Sequence, residues 1–413
     1  MEEVVCVVGV DWGDQTHAWA ERRLDGKEAE GTIPSTPEAV HEWVRQLRAR
    51  HPEGKIAIAL EQSRGALIYV LEQYDFLVLL PLNPRSTKRY RQALILSGAK
   101  DDPVDAKLQR DFAWHHRKSL RVWQPQDTDG RKLRLLVEGR RGMVGHRTAA
   151  IQALTATLKE YFPQVLTWFD DGTGKLARAF LGRWPTLKQA SAARADAITK
   201  LVKTHSRKKP EAIEALIASI RSAVALTDDP AIVEAMSLLA VSYVSIIETL
   251  EESISRYDHE IESLWATNPD HDIFANVPGA GAVLAPRLAV AFGQHRDRYE
   301  SASAVQTYSG IAPILERSGN RCVVRARWHS PKFLRQTFHE HAEASITKSP
   351  WALAFYRQQR DRGAGHHAAL RALAFRWIRI LYACWKNRVQ YDEQKHIAEL
   401  KRRNSPVIGR LAA

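Results

Sequence analysis

VVCVVGVDW, running from Val4 to Trp12, is an apolar stretch of strand length that meets a carboxylate at Asp11. Runs rich in β-branched residues and closed by a polar position read as buried strands. The next residues decide how that strand is used. HAWAERRL, His17 to Leu24, has the same character, Asp25-Gly26 is a strong hairpin signal, and EAEGTIP follows as a third strand. Three antiparallel strands are implied. Pro37 then opens a helical segment through Arg50, with Ser35 and Thr36 as cap candidates, and KIAIALEQ from Lys55 to Gln62 reads as a buried strand. A helix near Ala66 to Gln73, the strand FLVLLPL and a basic helix from Pro84 to Leu96 complete the pattern. Antiparallel strands followed by alternating helix and parallel strand predict an α/β fold, a mixed sheet with helices on both faces.

Beyond this sheet the chain turns helical. One long helix is expected from about Asp129 to Phe162, and another after Asp228-Asp229-Pro230. In the second, Val233, Met236, Ala240, Tyr243, Ile247, Leu250, Ile254, Tyr257, Ile261 and Leu264 alternate steps of three and four, a sustained heptad seam. That seam would pack against the first long helix, against a second subunit, or in part against each. Asp171 to Pro210 reads as a helical insertion with loops, and Asn268-Pro269-Asp270 as a boundary. The expected divisions are a sheet domain over 1–125, a helical, coiled-coil oligomerisation region over 126–268, a mainly helical C-terminal domain over 269–390, and a charged, frayed tail over 391–413.

Composition narrows the function. The 413 residues carry 60 Lys plus Arg against 47 Asp plus Glu, a net charge of +13, and 45% are hydrophobic. This argues for folded cores away from the ends and favours a polyanionic partner, although a merely soluble basic protein would have the same totals. Cys6, Cys322 and Cys384 lack the paired spacing of a zinc site or a disulfide framework, which suits a reducing cytoplasm. The N-terminus has no signal-peptide pattern, and no apolar run of spanning length is expected, so no membrane is implied.

The carboxylates carry the chemistry. SGAKDDPVDAKLQRDFA, Ser97 to Ala113, packs Asp101, Asp102 and Asp105 into a basic region. With Pro103 in the first turn of a helix, Asp102 and Asp105 share one face near its start. Asp11 and Glu61 end strands that would be neighbours, and so emerge at one sheet edge. Singly, each has a structural explanation as a turn former or a helix cap. Jointly they point to an oxygen-only site for Mg2+ or Mn2+, able to polarise a phosphodiester. From Arg85 to Arg147 sixteen Lys or Arg face seven Asp or Glu. Arg85, Lys88, Arg89, Arg91 and Lys100 here, and Arg321, Arg325 and Arg327 farther on, are candidate contacts to a nucleic-acid backbone.

GVDWG around Asp11, ALEQSRG around Glu61 and KDDPVDA from Lys100 resemble the N-terminal RuvC-like (RNase H-like) domain of the DEDD insertion-sequence transposases of the IS one-ten (IS110) type. The resemblance places that family's metal-binding tetrad on Asp11, Glu61, Asp102 and Asp105; Asp101, where many members carry Thr, is a spare carboxylate. NVPGAGAVLAPRLAVAFG, Asn276 to Gly293, is similar to the family's Pro-Gly-x-Gly segment. On its own it reads either as a helix-hairpin-helix, whose glycines let backbone amides approach a phosphate, or as a plain tight turn. TYSGIAPILERSGNRCVVRARW resembles the segment carrying the family's catalytic serine, which falls on Ser318, with Ser309 in reserve. Ser318 is expected on a glycine-flanked loop beside Arg317, Arg321 and Arg325. The resemblance implies a DNA recombinase working by transesterification through a phosphoserine on donor and target DNA. It also implies a homodimer or homotetramer with composite sites, a structured bridge RNA as guide, and action on the nucleoid in the cytoplasm.

Other features carry less. DGTGKL near Lys175 lacks the spacing of a phosphate-binding Walker loop, the pairs His115-His116 and His366-His367 suit no single metal, and HEHAE from His339 lacks zinc-protease spacing. The tryptophans interleaved with arginine from Trp351 to Trp385 are expected to fill a core rather than to stack on bases. Two competing readings are a RuvC-like structure-specific endonuclease using water as nucleophile and a non-catalytic nucleic-acid-binding assembly protein.

Overall fold

The strand and helix signals near the N-terminus resolve into β1 (Val4–Asp11), β2 (Thr16–Arg23), β3 (Glu28–Pro34), α1 (Pro37–Arg50), β4 (Lys55–Leu60), α2 (Ala66–Leu71), β5 (Leu77–Pro81), α3 (Pro84–Leu94) and α4 (Asp102–His116). The computed structural model describes residues 3–61, 65–94, 102–124, 127–319, 321–325, 327 and 330–410. The chain divides into two units, Met1–Pro125 and Gln126–Ala413. Lys100 and Asp101 lie outside the described residues.

In the first unit the strand order is β3-β2-β1-β4-β5. The first three strands are antiparallel, and β1, β4 and β5 run parallel, which is the expected mixed sheet. Alternation along β1 sends Cys6, Val8 and Val10 to one face, where Trp43, Val44 and Leu47 of α1 and Leu67, Ile68 and Leu71 of α2 cover them. Thr36 caps α1 by accepting the Ala39 N–H at 3.3 Å, with Pro37 fixing the first turn. The opposite face is built from small residues. Ala18 and Ala20 of β2 meet Ala106 of α4, and Ala57 and Ala59 of β4 lie with Val7 against Ala113. At Gly9 a Cβ would stand 2.0 Å from the Ala106 carbonyl oxygen and 2.4 Å from the Arg110 nitrogen. Only glycine allows α4 to lie so close on β1.

The second unit comprises α5 (Thr128–Tyr161), α6 (Val165–Trp168), α7 (Lys175–Arg183), α8 (Leu187–Ala192), α9 (Ala195–His205), α10 (Pro210–Ser222), α11 (Pro230–Ala266), α12 (His271–Phe274), α13 (Gly281–Phe292), α14 (Ala302–Tyr308), β6 (Ile314–Ser318), β7 (Arg321–Arg325), α15 (Lys332–Ile346), α16 (Pro350–Asp361), α17 (His366–Asn387) and α18 (Glu393–Arg402). α5 and α11 form an antiparallel pair clamped by Arg140–Asp258 and, at 3.1 Å, Lys132–Glu260. The heptad seam faces α5: Ala240, Ile247, Ile254 and Ile261 are buried along it. At one end α7 to α10 close a core around Leu154, Leu158, Phe162, Phe180 and Ile247. At the other, Leu133, Val137, Ile261 and Trp265 join Phe274, Phe292, Phe338, Trp351, Trp377 and Trp385. Trp351, Trp377 and Trp385 are core residues, as expected.

Two expectations are corrected here. Over its described residues, 391–410, the tail is packed: Leu400 and Val407 are buried in the C-terminal core, Asp392 caps α18, and Tyr391 accepts from Trp351 Nε1 at 2.7 Å. Sparse apolar residues among charges hid this packing. Second, α11 contains an eighteen-residue stretch of mean hydropathy 1.8 and, by length and composition alone, could span a membrane. One side of it packs on α5, while Leu238 is 72% exposed and Leu239 and Ile246 are also exposed on the other.

Candidate nucleic-acid active site

β1 and β4 run parallel in register, Gly9 opposite Ala59, so Asp11 at the end of β1 and Glu61 just past β4 leave the sheet at one edge. α4 starts over the same edge. Asp102 and Asp105 lie one turn apart on it, and the Asp102 Oδ2 is 3.8 Å from where a Gly13 Cβ would stand, beside the turn that follows Asp11. Burial pushes the Asp11 carboxyl up to about 6, and the charges of Asp105, Asp102 and Glu61 add to the rise. The charges of the other three thus reach Asp11, although among the described residues no three of these four carboxylates bring oxygens within 4.8 Å of one another.

Three neutral or cationic side chains hold Asp11, Glu61 and Asp105. Gln109 is 1% exposed, donates from Nε2 to Asp11 Oδ1 at 3.0 Å, and leaves its buried Oε1 without a partner among the described residues. Thr87, buried on α3, donates to Glu61 Oε1. Arg91, on the same helix, pairs with the buried Asp105. Sequence reasoning placed Arg91 among the backbone contacts; here its guanidinium turns inward because Asp105 offers a desolvated opposite charge. It missed Gln109 and Thr87, although Asp102, Asp105 and Gln109 recur at i, i+3 and i+7 on α4. An all-oxygen set of crowded carboxylates with an orphaned amide oxygen beside it suits Mg2+ or Mn2+, which prefer oxygen donors and keep waters.

A second buried trio, Cys6, Glu21 and His51, has its donor atoms within 4.8 Å of one another. It is already satisfied by protein. Glu21 takes Arg50 at 2.9 Å and His51 at 2.7 Å, and burial together with Glu21 holds the Cys6 thiol protonated, far above its usual range.

Arg85, Lys88 and Arg89 are exposed on α3. Ser318 is not on a loop: it is the last residue of β6, exposed, and pairs across the hairpin with Arg321 on β7. Gly319 follows at φ +56°, so the glycine makes a tight strand reversal where a looser loop was expected. Arg321 and Arg325 are exposed on β7, Arg325 pairing with Glu316 at 3.0 Å, and Arg327 is half-buried. Ser309, the reserve candidate, is fully buried and donates to the Gln306 carbonyl at 3.2 Å at the end of α14, which leaves it no access to a substrate.

Comparison with known proteins agrees with this architecture. A DEDD model of the IS110 group, described as a transposase, matches residues 8–163. A second, described as transposase of the IS116/IS110/IS902 family, matches residues 271–357. The chain is 26% identical over 404 residues to a protein of the IS117 mini-circle of Streptomyces coelicolor, named as a transposase of that element, covering 95% of this chain and 96% of the relative. It is 24% identical over 391 residues to the 44.8 kDa protein of insertion element IS116 of Streptomyces clavuligerus, covering 92% and 94%. With the 43.6 kDa protein of IS110 from Streptomyces coelicolor it shares 23% over 416 residues, covering 95% and 97%.

Proposed function

From the premise that this chain belongs to the IS110-type transposases, and is therefore an enzyme that acts on DNA, we propose that it cuts and rejoins strands by transesterification through Ser318. The observation that supports this best is the Asp11 carboxyl at the sheet edge, lifted to about 6 first by burial and then by the charges of Asp105, Asp102 and Glu61. These four residues would hold Mg2+ or Mn2+, which when bound polarises a phosphodiester and neutralises charge at its oxygens. Gln109 and Thr87 fix one oxygen each of Asp11 and Glu61, which would leave the other oxygen of each carboxylate free to hold the ion. The exposed cations of α3 grip the backbone on either side.

Ser318 Oγ attacks the scissile phosphorus, a new Oγ–P bond replaces the bond to one deoxyribose oxygen, and that oxygen leaves as a free hydroxyl after taking up a proton. Attack by a hydroxyl of a second strand on the phosphoserine reverses the exchange and returns the proton to Ser318, so bonds formed equal bonds broken. Arg321, next to Ser318 across the hairpin, stabilises the charge on the phosphoryl oxygens. The reading extends to a homodimer or homotetramer in which the serine and the carboxylates come from different subunits, self-association through the exposed face of α11, a bridge RNA that pairs with donor and target DNA, and a cytoplasmic, nucleoid-bound place of action.

The test incubates the protein with Mg2+, labelled donor and target DNA and RNA transcribed from the flanking noncoding region, and looks on a denaturing gel for a covalent adduct. An adduct lost in both Ser318→Ala and Asp11→Ala is expected. Cleavage without an adduct that survives Ser318→Ala would replace this reading with that of a RuvC-like hydrolytic endonuclease, and binding indifferent to Mg2+ with no cleavage would leave a nucleic-acid-binding assembly protein.

A further inference from the structure

We propose that the start of α13, with Arg287 and Arg141, forms a binding site for one phosphodiester group of a nucleic-acid backbone. The proposal rests on the preceding reading only for the nucleic acid that carries the phosphate, and it needs neither Ser318 nor the carboxylate cluster.

A cleft of about 410 Å³ opens between α5, α11, α13 and α15, with Arg140, Arg141, Asp258, Val283, Arg287 and Glu340 on its walls. Charges in it do not balance. Arg140 is taken by Asp258, with Nη2 at 3.1 Å from Oδ2, and Arg287 uses Nη1 on Glu340 and Nε on Thr337 Oγ1 at 3.2 Å. That leaves Arg287 Nη2 and Arg141 Nε, both buried, with no acceptor among the described residues. Arg287 is 6% exposed, so its spare N–H is largely withdrawn from bulk water without gaining a protein acceptor, on the wall of the cleft. Burial holds its pKa below the usual arginine range, and the nearby Arg141 and Arg140 lower it further, against the pull of Glu340.

The helix start supplies the complementary donors. α13 is twelve residues long, no side chain caps it, and the described backbone gives its first three amides no acceptor; the first bond from this turn is Leu284 N–H to Ala280 O at 2.9 Å. Ala282 and Val283 of that first turn line the cleft, and a side chain at Gly281 would meet no atom within 4 Å, so the amides are open to a ligand. Gly279 makes this turn possible: it has φ +81°, and a Cβ there would stand 2.6 Å from the Ala344 backbone on α15. Orphan amides at a helix start beside unsatisfied guanidinium N–H groups are donors without acceptors. With three arginines against Asp258 and Glu340 on its walls the cleft favours an anion over a metal cation, and an oxyanion with several acceptor oxygens matches donors of this kind.

Val283→Glu places a carboxylate on the helix start, where it stabilises the helix while filling the site, and Arg141→Gln removes the unpaired guanidinium. Two probes are used on the full chain: inorganic phosphate in thermal unfolding, and one fluorescein-labelled oligonucleotide sequence, as DNA and as RNA, in binding titrations across a salt series. Phosphate at millimolar concentration is expected to raise the melting temperature of the wild type and of neither variant. Each variant should lose about tenfold in oligonucleotide affinity near physiological salt, with the slope of log affinity against log salt reduced by about one. For Val283→Glu this loss must accompany an unchanged or raised melting temperature, which separates it from misfolding. Equal phosphate protection of wild type and variants, or wild-type affinity and slope in both variants, overturns the site. Protection by phosphate confined to the wild type, with oligonucleotide binding unaffected, overturns the nucleic-acid assignment. If the wild type binds no oligonucleotide at all, the preceding reading fails, while the phosphate arm still reports on the cleft.

Discussion

Replacing Gly9 by alanine is the sharpest test of how the carboxylate cluster is assembled. The added Cβ would stand 2.0 Å from the Ala106 oxygen and 2.4 Å from the Arg110 nitrogen, where ordinary contacts begin near 3.4 Å. Both obstacles are backbone atoms and cannot rotate away. Relief requires α4 to retreat from β1 by roughly 1.4 Å, a large displacement in an interior packed at crystal density. Overpacking of this kind costs about 1–3 kcal/mol, and the intrinsic preference for alanine over glycine in a strand offsets only about 0.5–1 kcal/mol of it. The net expectation is a loss of about 1–2 kcal/mol in urea unfolding followed by tryptophan fluorescence. The same retreat carries Asp102, Asp105 and Gln109 away from Asp11, and an error near 1 Å in such geometry costs on the order of 100-fold in rate. Mn2+ binding, read by electron paramagnetic resonance, should weaken in parallel. Gly142→Ala is the control, because that helical glycine on α5 meets nothing within 4 Å and alanine there should stabilise by about 0.5–1 kcal/mol. Wild-type stability and Mn2+ affinity in Gly9→Ala would refute the claim that α4 is seated through this contact.

Gln109→Met keeps the volume but removes the donor to Asp11, and should weaken Mn2+ binding by about 10–100-fold; an unchanged titration would mean the amide does not position Asp11. His341 is fully buried with Nε2 3.2 Å from the Pro278 oxygen, and burial lowers its pKa from 6.5 to about 4. The unfolded chain therefore binds this proton first, so stability is complete above pH 6.5 and falls by about 3 kcal/mol as pH drops toward 4. Denaturant titrations across that window should show the loss in the wild type and a flatter profile in His341→Gln. Converting Leu238 and Ile246 to lysine together should shift the sedimentation coefficient of any oligomer to that of the monomer, since both side chains are exposed on α11; an unchanged coefficient would move self-association to another face.

What could be read in advance depended on the range of the interaction. The sheet was legible because Asp25-Gly26, the apolar runs and Pro37 are local signals, each fixing its own element. The α5–α11 seam was legible because its period repeats many times. Asp11, Glu61, Asp102 and Asp105 could be brought together on paper because strand ends and a single helical turn predict direction. Gln109, Thr87 and the inward turn of Arg91 could not, because they depend on the height at which α4 and α3 sit on the sheet, which the Gly9 contact and the alanine face set in three dimensions. Ser318 on a hairpin was missed for a related reason: the flanking charged residues hide a strand that has little apolar alternation. In the tail, Leu400 and Val407 find a core that exists only once α16 and α17 have folded.

The paired long helices constrain how this protein can change length. α11 has 37 residues, about 55 Å of rod, and it holds one hydrophobic core at each end. Deleting a single residue from α5 alone would rotate everything beyond the deletion by about 100° and slide it by about 1.5 Å, breaking the match with the seam of α11. Tolerated insertions in these helices should therefore come as heptads matched in both, whereas the α7 to α10 cap at one end of the rod can gain or lose residues in its connections without disturbing the α12 to α18 core at the other.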